Sequence, residues 1–227
     1  MVIDFPEEVA REFKRLMGRP FSQNDTSLFK RFPYPIQEDN TNGGVIAVLD
    51  GQFFSPQVLS SIILDRIKIR AEELRDLMKG AYDTVITVPA YFNDSQKNAT
   101  EQAGILAGLN VVRILEEPIA AAMAYFHSFP ELGTVSNIFL VFDLGGGTFD
   151  ISLIKAGNDL HTVIDTDGDA DLGGSDFDEL LVEFCLETAV RQFGKQIRNN
   201  NQFKTRLRIK CEICKKNLFT MIDSFSK

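Results

Sequence analysis

The nine residues FDLGGGTFD, from Phe142 to Asp150, place three consecutive glycines between two apolar runs of strand length. Glycine lets a backbone turn approach an anion closely and direct several N–H groups toward it. Thr148 adds a hydroxyl, and Asp143 and Asp150 bracket the turn, where they could bind a hydrated cation that bridges phosphates. No Gly-Lys-Ser/Thr follows, so this is not a Walker A loop. The stretch predicts a phosphate-binding hairpin, and the plainer alternative is a glycine-rich turn with solvated acids.

The apolar pattern on both sides of this hairpin predicts a mixed α/β protein. Around and after the glycines it indicates three consecutive strands and then two helices, over 138–144, 149–154, 160–166, 175–193 and 202–219. Before them, strands and helices alternate over 84–88, 94–106, 111–115 and 117–125. This alternation with short loops favours a parallel sheet. A polar break at 127–136 is interpreted as the boundary between two lobes.

The first eighty residues carry weaker patterns. They predict a short helix over 7–17 that ends at Gly18, a loop-rich connection over 20–44, and a helix over 57–79. VIAVL (45–49) and QFF are separated by Asp50-Gly51, which is typical of a β-hairpin with a tight turn.

Two further strings join a strand to a helix. In TVPAYFNDSQKNAT (87–100) a strand ends at Pro89, and Asp94 or Ser95 is predicted to cap the next helix. In RILEEPIAAAMAY (113–125) Glu117 follows a strand and opens a helix. The carboxyl ends of parallel strands are where α/β proteins place catalytic groups, although an acid in a first helical turn is also favoured by the helix dipole.

A second glycine string, DLGGSDFD (171–178), resembles the first in composition. It leads into a helix and not into a strand, so we interpret it as a turn and N-cap and not as a true repeat.

Composition excludes several classes of function. The net charge of the 227 residues is −8, which disfavours nucleic acid as a partner. No apolar stretch approaches the roughly 18 residues of a membrane span, and no leader peptide is recognisable. Three cysteines indicate a reducing compartment, and Cys211 and Cys214 are interpreted as helix residues and not as zinc ligands. We therefore expect a cytoplasmic protein of the cytosol or nucleus, with no membrane partner.

Together the strings at 87–100, 113–125 and 142–150 resemble the 70-kilodalton heat-shock (DnaK-type) chaperone family in order and spacing. FKRLMGR (13–19), DLGGSDFD and KCEICKKNL (210–218) resemble further landmarks of the family. The resemblance covers nearly the whole chain. It implies an actin-like ATPase fold, with ribonuclease H-like mixed sheets and flanking helices, in an incomplete two-lobed nucleotide-binding domain. The lobes would be residues 1–130 and 131–227, without a peptide-binding domain.

The resemblance implies ATP or ADP as ligand, with Mg²⁺ and also K⁺ as cations. The residues that resemble the family's second phosphate-binding loop are Gly145, Gly146, Gly147 and Thr148. Asp143 and Asp150 resemble acids around the two cations, and Thr148 and Asp143 also belong to the implied catalytic set. Lys14 resembles the lysine that orients the attacking water, and Glu117 resembles the acid that positions magnesium-bound water.

Other positions resemble the family's nucleotide clamp and its communicating surfaces. Glu212, Lys215 and Lys216 resemble the ribose and adenine clamp. Pro89 resembles the proline switch between nucleotide and substrate domains, and Arg113 resembles an arginine of the J-domain surface. The implied partners are J-domain co-chaperones and nucleotide-exchange factors, with unfolded clients only if a peptide-binding domain is supplied elsewhere.

The sequence also departs from the family pattern. It contains no Asp-Leu-Gly-Thr-Thr-type turn, the family's first phosphate loop, before Lys14. Glu116 stands where the family has Asn, and Lys97 and Lys216 stand where arginine is common. We therefore expect these 227 residues alone to bind nucleotide weakly and to hydrolyse it weakly or not at all.

The leading interpretation is a chaperone ATP-binding domain whose ATP hydrolysis, in the stress response, is coupled to protein folding. One alternative is a non-hydrolysing interaction module that binds co-chaperones. A less favoured alternative is a sugar or acetate kinase of the actin superfamily, against which the strings VPAYFNDSQ and EEPIAAAMAY argue.

Overall fold

The computed structural model describes residues 6–22, 26–75, 82–129, 137–157 and 160–225 as a mixed α/β protein. The described strands form three sheets, of order β1-β2-β3, β4-β5 and β6-β7-β8. The strands are β1 (Ile36–Glu38), β2 (Val45–Leu49), β3 (Gln52–Phe54), β4 (Asp83–Val88), β5 (Asn110–Glu116), β6 (Asn137–Leu144), β7 (Phe149–Gly157) and β8 (Leu160–Asp169). The helices are α1 (Thr26–Phe29), α2 (Pro56–Arg75), α3 (Asp94–Leu106), α4 (Glu117–Ser128), α5 (Gly174–Phe193) and α6 (Asn201–Phe225). The predicted α/β class is confirmed.

The N-terminal region is not the helix that the sequence predicts over 7–17. Two short 3₁₀ turns replace that helix, at Pro6–Glu8 and Phe13–Leu16. Glu12, between them, has a φ of 57°, a left-handed conformation that interrupts a right-handed helix. The second turn buries Leu16 in an apolar cluster with residues of the first sheet, so tertiary packing overrides local helix preference here.

The first sheet contains the predicted hairpin. Asp50 and Gly51 have φ values of 46° and 71°, as the two central residues of a tight hairpin turn require. Strand β1 pairs antiparallel with β2, although the sequence predicts only a loop over 20–44. Three residues are too few to produce a recognisable alternating pattern, which explains why β1 is missed.

Strands β4 and β5 form the predicted parallel pair, and α3 crosses between them. A Cβ atom at Gly104 would lie 2.5 Å from Cγ2 of Val111, so α3 packs closely on this sheet. The predicted cap at Asp94 or Ser95 is wrong by one residue, because Asn93 caps α3. Its side chain accepts from the Gln96 N–H at 3.0 Å, and the Gln96 side chain accepts from the Asn93 N–H at 3.1 Å.

Strands β6, β7 and β8 form an antiparallel meander, as the three consecutive apolar runs predict. Helix α4 covers it through Ala122 and Phe126, which pack against the fully buried Ile154. Helices α5 and α6 pack against each other. Most of the proposed lobe boundary, residues 130–136, lies outside the described residues, so the division into 1–130 and 131–227 stays a prediction.

Cys211 and Cys214 lie one turn apart on α6, as expected, with Cys211 buried and Cys214 exposed. Burial, and then the neighbouring Cys185, raise the pKa of the Cys211 thiol to about 11. The described part of the chain contains no cluster of three or more histidine, cysteine or acidic side chains suited to a metal ion. It also contains no helix with the length and hydrophobicity to cross a bilayer.

The cap of α3 can be tested directly. Replacing Asn93 with Ala leaves the Gln96 N–H without its acceptor, so we expect the free energy of unfolding to fall by about 1 kcal/mol. Glu101→Ala, at an exposed position on the same helix, is the matched control and should change it by less than about 0.5 kcal/mol. Urea denaturation followed by circular dichroism measures both, and equal stability of the two variants would contradict the capping role.

Candidate functional site

The glycine turn between β6 and β7 is closed by one backbone hydrogen bond and otherwise presents free donors. The Gly145 N–H donates to the Thr148 carbonyl at 2.9 Å. The N–H groups of Gly146, Gly147 and Thr148 donate to no protein acceptor among the described residues. A Cβ atom at Gly146 would meet nothing within 4 Å, so open space lies beside the turn. Such a turn offers an anion several unpaired backbone donors.

The second glycine string packs directly on this turn. The N–H groups of Gly174 and Ser175 donate to the carbonyls of Gly145 and Gly146, at 2.9 and 2.7 Å. A Cβ atom at Gly173 would lie 2.5 Å from the Gly147 nitrogen, so only glycine allows this approach. The start of helix α5 is therefore held against the glycine turn by direct backbone contacts.

The predicted interpretation of this second string as a turn and N-cap is confirmed. Helix α5 begins at Gly174, and the Asp176 carboxylate accepts from the Gly173 N–H at 2.7 Å. The string thus ends a connection from β8 and opens a helix, whereas FDLGGGTFD joins two strands.

A cavity of about 400 Å³ lies beside the glycine turn. Its lining residues are Glu12, Lys14, Arg15, Glu117, Asp143, Gly145, Gly146, Gly147, Thr148 and Ser175. Seven of these ten are site residues that the sequence singles out, from segments separated by more than a hundred positions. We call this cavity the cleft.

Lys14 and Glu117 form an ion pair at one side of the cleft. The Lys14 ammonium donates to Glu117 Oε1 at 3.0 Å, and Lys14 remains half-exposed. Glu117 is the first residue of α4, directly after β5, so its position follows from the strand-to-helix junction and the favourable dipole. Its neighbour Glu116 accepts from Lys97 of α3, also at 3.0 Å. Two successive glutamates therefore bind lysines of two different segments.

Asp143 and Asp150 are directly opposite each other on β6 and β7. Opposed residues of an antiparallel pair lie on the same face, and two like charges there are unfavourable without a counter-ion. Asp150 is 2% exposed, and neither carboxylate oxygen has a hydrogen-bond partner among the described residues. Burial, and then the charges of Glu117 and Asp143, raise the Asp150 pKa to about 6, and Lys14 acts in the opposite direction.

These acids fit a cation that is held partly through water. Buried carboxylate oxygens without partners are costly, and a divalent cation would satisfy them. Mg²⁺ is usually bound by one or two carboxylates together with waters and substrate phosphates, so two acids beside a phosphate-binding turn are sufficient.

Arg15 is a residue of the cleft that the sequence reasoning misses. Its buried guanidinium donates to Ser175 Oγ at 3.0 Å and to Asp176 at 2.7 Å, which ties the N-terminal segment to helix α5. Arg31 makes a second ion pair with the same Asp176. The string FKRLMGR contains Arg15, but a single arginine next to Lys14 gives no signal that separates a buried clamp from a surface charge.

Tyr91 is a second missed residue. Its hydroxyl is buried without a hydrogen-bond partner among the described residues, and burial, then the charge of Asp150, raise its pKa. It follows the fully buried Pro89 at the end of β4. Tyr91 therefore lies close enough to Asp150 to sense its charge, although neither residue lines the cleft.

The predicted adenine clamp is only partly associated with the cleft. Lys215 donates to the Gly174 carbonyl at 2.5 Å and pairs with Asp178 at 2.8 Å, so it lies at the start of α5. Glu212 and Lys216 pair with each other on α6 and do not line the cleft. Arg113 is exposed on β5 and also lies outside it.

The comparison with known families agrees with this arrangement. The family model described as Hsp70 protein matches residues 1–224 of the 227-residue chain. The match includes every residue that lines the cleft and ends one residue before the end of α6.

The contact between the two glycine strings predicts a sharp difference between two similar substitutions. Gly173→Ala forces a methyl group into the Gly147 backbone, and we expect the free energy of unfolding to fall by about 1–3 kcal/mol. Gly146→Ala places the same methyl group in open space and should change it by less than about 0.5 kcal/mol. Denaturant titration compares them, and a Gly173→Ala variant as stable as Gly146→Ala would refute the close packing.

The buried acid predicts a magnesium-dependent stability. In magnesium-free buffer at neutral pH, Asp150→Asn should raise the free energy of unfolding by about 1–3 kcal/mol, because a buried unpaired charge is removed. Mg²⁺ should stabilise the native chain but not this variant. Asp50→Asn, in the exposed hairpin turn, is the control and should keep the response to Mg²⁺. Thermal unfolding with and without Mg²⁺ measures both effects, and a persistent response of Asp150→Asn would contradict the assignment.

Proposed function

The chain belongs to the Hsp70 family, and we propose that its cleft binds ATP and Mg²⁺ for a chaperone ATPase cycle. The family has an actin-like ATPase fold and a chaperone ATPase-type domain, with which this mixed α/β chain agrees. The observation that carries the proposal is the cleft itself, where a glycine turn with unpaired N–H groups faces Lys14, Glu117 and Asp143.

The glycine turn is proposed to bind the phosphates. The unpaired N–H groups from Gly146 to Thr148 would donate to phosphate oxygens, and the Thr148 hydroxyl adds a further donor. Helix α5 supports the turn from behind through its two backbone hydrogen bonds. Preorganised donors of this kind stabilise charge that develops during phosphoryl transfer.

Asp143 and Asp150 are proposed to hold the metal ion, with Asp150 contributing through its unpaired buried oxygens. The bound metal would neutralise charge on the phosphates during transfer. By family resemblance K⁺ is a second candidate cation at the same acids.

Lys14 and Glu117 are proposed as the residues that act on the attacking water. In the structure they form an ion pair at 3.0 Å, so the positive charge of Lys14 is balanced by the negative charge of Glu117. Nucleotide binding must replace this pair in part, with Lys14 turning toward the phosphate and Glu117 keeping a water in place. Arg15 would hold α5 and the N-terminal segment at a fixed separation meanwhile.

Glu212, Lys215 and Lys216 are proposed to bind the ribose and adenine of the nucleotide. Lys215 donates to the carbonyl of Gly174, the residue after Gly173. Glu212 and Lys216 pair with each other and do not line the cleft. The assignment of these three to ribose and adenine rests on family resemblance.

ATP hydrolysis is proposed to be coupled to protein folding, with J-domain co-chaperones as partners. Arg113 is exposed on β5, where a J-domain could reach it, and the buried Pro89 links β4 to Tyr91 beside the cleft. Nucleotide-exchange factors are proposed as further partners by family resemblance, and the cytosol or nucleus is proposed as the location.

The test is ATP hydrolysis by the 227-residue chain, alone and preceded by the first phosphate-loop segment of a family member. We expect turnover near background for the chain alone, and clear turnover when the segment is added. In the extended protein Lys14→Ala should lower turnover by about a hundredfold and change ATP affinity by less than about threefold, because the lysine acts mainly on the transition state.

Lys155→Ala is the control, since this lysine is exposed on β7 away from the cleft. Phosphate release gives turnover, and calorimetric titration gives affinity. ATP binding without turnover, in the extended protein, would support the alternative of a non-hydrolysing module. Turnover that survives Lys14→Ala would refute the assigned role of the lysine.

A further inference from the structure

A second cavity, of about 410 Å³, lies next to the cleft and shares Glu12 and Ser175 with it. Its lining residues are Arg11, Glu12, Lys30, Arg31, Phe32, Pro33, Ser175, Glu179, Val182, Asn201, Lys204, Thr205 and Arg208. Only Glu12 and Ser175 also line the cleft, so this is a separate space, which we call the basic pocket.

The basic pocket has the opposite charge to the chain as a whole. Five basic and two acidic side chains line it, a formal charge of +3, in a chain whose net charge is −8. Positive charge concentrated in a concave surface of an acidic protein attracts anions selectively. None of the residues assigned above to the nucleotide supplies this charge.

Three of the five cations have no acidic partner among the described residues. Arg31 pairs with Asp176, and Arg208 pairs with Glu179. The remaining three are Arg11, Lys30 and Lys204. The Nε–H of Arg11 is in addition buried without an acceptor. Arg11, Lys30 and Lys204 therefore offer the pocket positive charges that an anion would pair with.

The cations also destabilise one another. Burial, and then the charge of Arg11, lower the pKa of Arg208. The charge of Arg31 also lowers the pKa of Arg208. Repulsion of this kind is relieved when a negative charge enters between the guanidinium groups.

One wall of the pocket is apolar. Phe32 and Val182 are buried, at 8% and 2% exposure, and Pro33 lies beside Phe32. A bare inorganic anion would leave this wall unused, whereas a ligand with an apolar part next to its charge would contact both. The volume is in the range of small-molecule sites.

We propose that the basic pocket binds a small phosphate ester, with its phosphate among Arg11, Lys30 and Lys204 and its apolar part against Phe32. Arginine and lysine together suit a phosphate, because the guanidinium offers paired donors and the ammonium a compact charge. The basic pocket and the nucleotide cleft are separate cavities, so phosphate-ester binding and nucleotide binding can be tested independently.

The test uses phenyl phosphate as the probe, titrated into the 227-residue chain by calorimetry at low ionic strength. We expect saturable binding, several-fold tighter than that of inorganic phosphate because of the apolar wall. Lys204→Glu should weaken it by at least about tenfold, since the variant places a negative charge at the phosphate. Lys210→Glu makes the same charge change at an exposed position of the same helix outside the pocket, and should alter affinity by less than about twofold.

Lys30→Glu provides a second probe on a different segment and should act like Lys204→Glu. Thermal unfolding of each variant verifies that the fold is intact. Lys14→Ala should leave phenyl phosphate binding unchanged, which separates the pocket from the cleft. Equal affinity in Lys204→Glu and Lys210→Glu, loss of binding in Lys14→Ala, or no saturable binding by the native chain would each overturn the proposal.

Discussion

The arrangement of the cleft depends on one backbone contact, the approach of Gly173 to Gly147. A side chain at Gly173 would overlap the Gly147 nitrogen, so the two glycine strings can meet only without side chains. Their contact lets Gly174 and Ser175 donate to the carbonyls of the turn. The carbonyls are thereby satisfied from the helix side, which leaves the N–H groups of the turn for the opposite side. The turn thus has the carbonyls of Gly145 and Gly146 paired with α5, while its N–H groups from Gly146 to Thr148 are unpaired among the described residues.

Arg15 extends this contact to the N-terminal segment. Its buried guanidinium binds Ser175 and Asp176 in the first turn of α5, and the neighbouring Lys14 consequently faces the glycine turn. Both hydrogen bonds come from Nη2, while Nε and Nη1 are buried without a hydrogen-bond partner among the described residues. Removal of Ser175 or Asp176 would therefore leave a still more costly buried charge. Asp176 serves three partners at once, since it also accepts from Gly173 and pairs with Arg31.

The sequence predicts the parts of this molecule whose local pattern is strong. Three glycines between apolar runs identify the β6–β7 turn, and Asp50-Gly51 identifies the first hairpin. The segment around Glu12 is mispredicted, because its conformation is set by burial of Leu16 and Arg15 and not by neighbours in sequence. The basic pocket is not predictable, since its cations come from three segments that each look like ordinary solvated charge. Site residues carried by motifs are found from sequence, and residues brought together by packing are not.

The adjacent residues Glu116 and Glu117 link the β5–α4 junction to two other segments of the chain. Glu116 forms an ion pair with Lys97 of α3, and Glu117 forms one with Lys14 of the N-terminal segment. Because the two ion pairs involve consecutive residues, the β5–α4 junction connects the N-terminal segment to α3. Release of Lys14 would free Glu117 and leave Glu116 paired with Lys97. A change in the Lys14–Glu117 pair can therefore reach helix α3, which carries no residue of the cleft, through two adjacent glutamates.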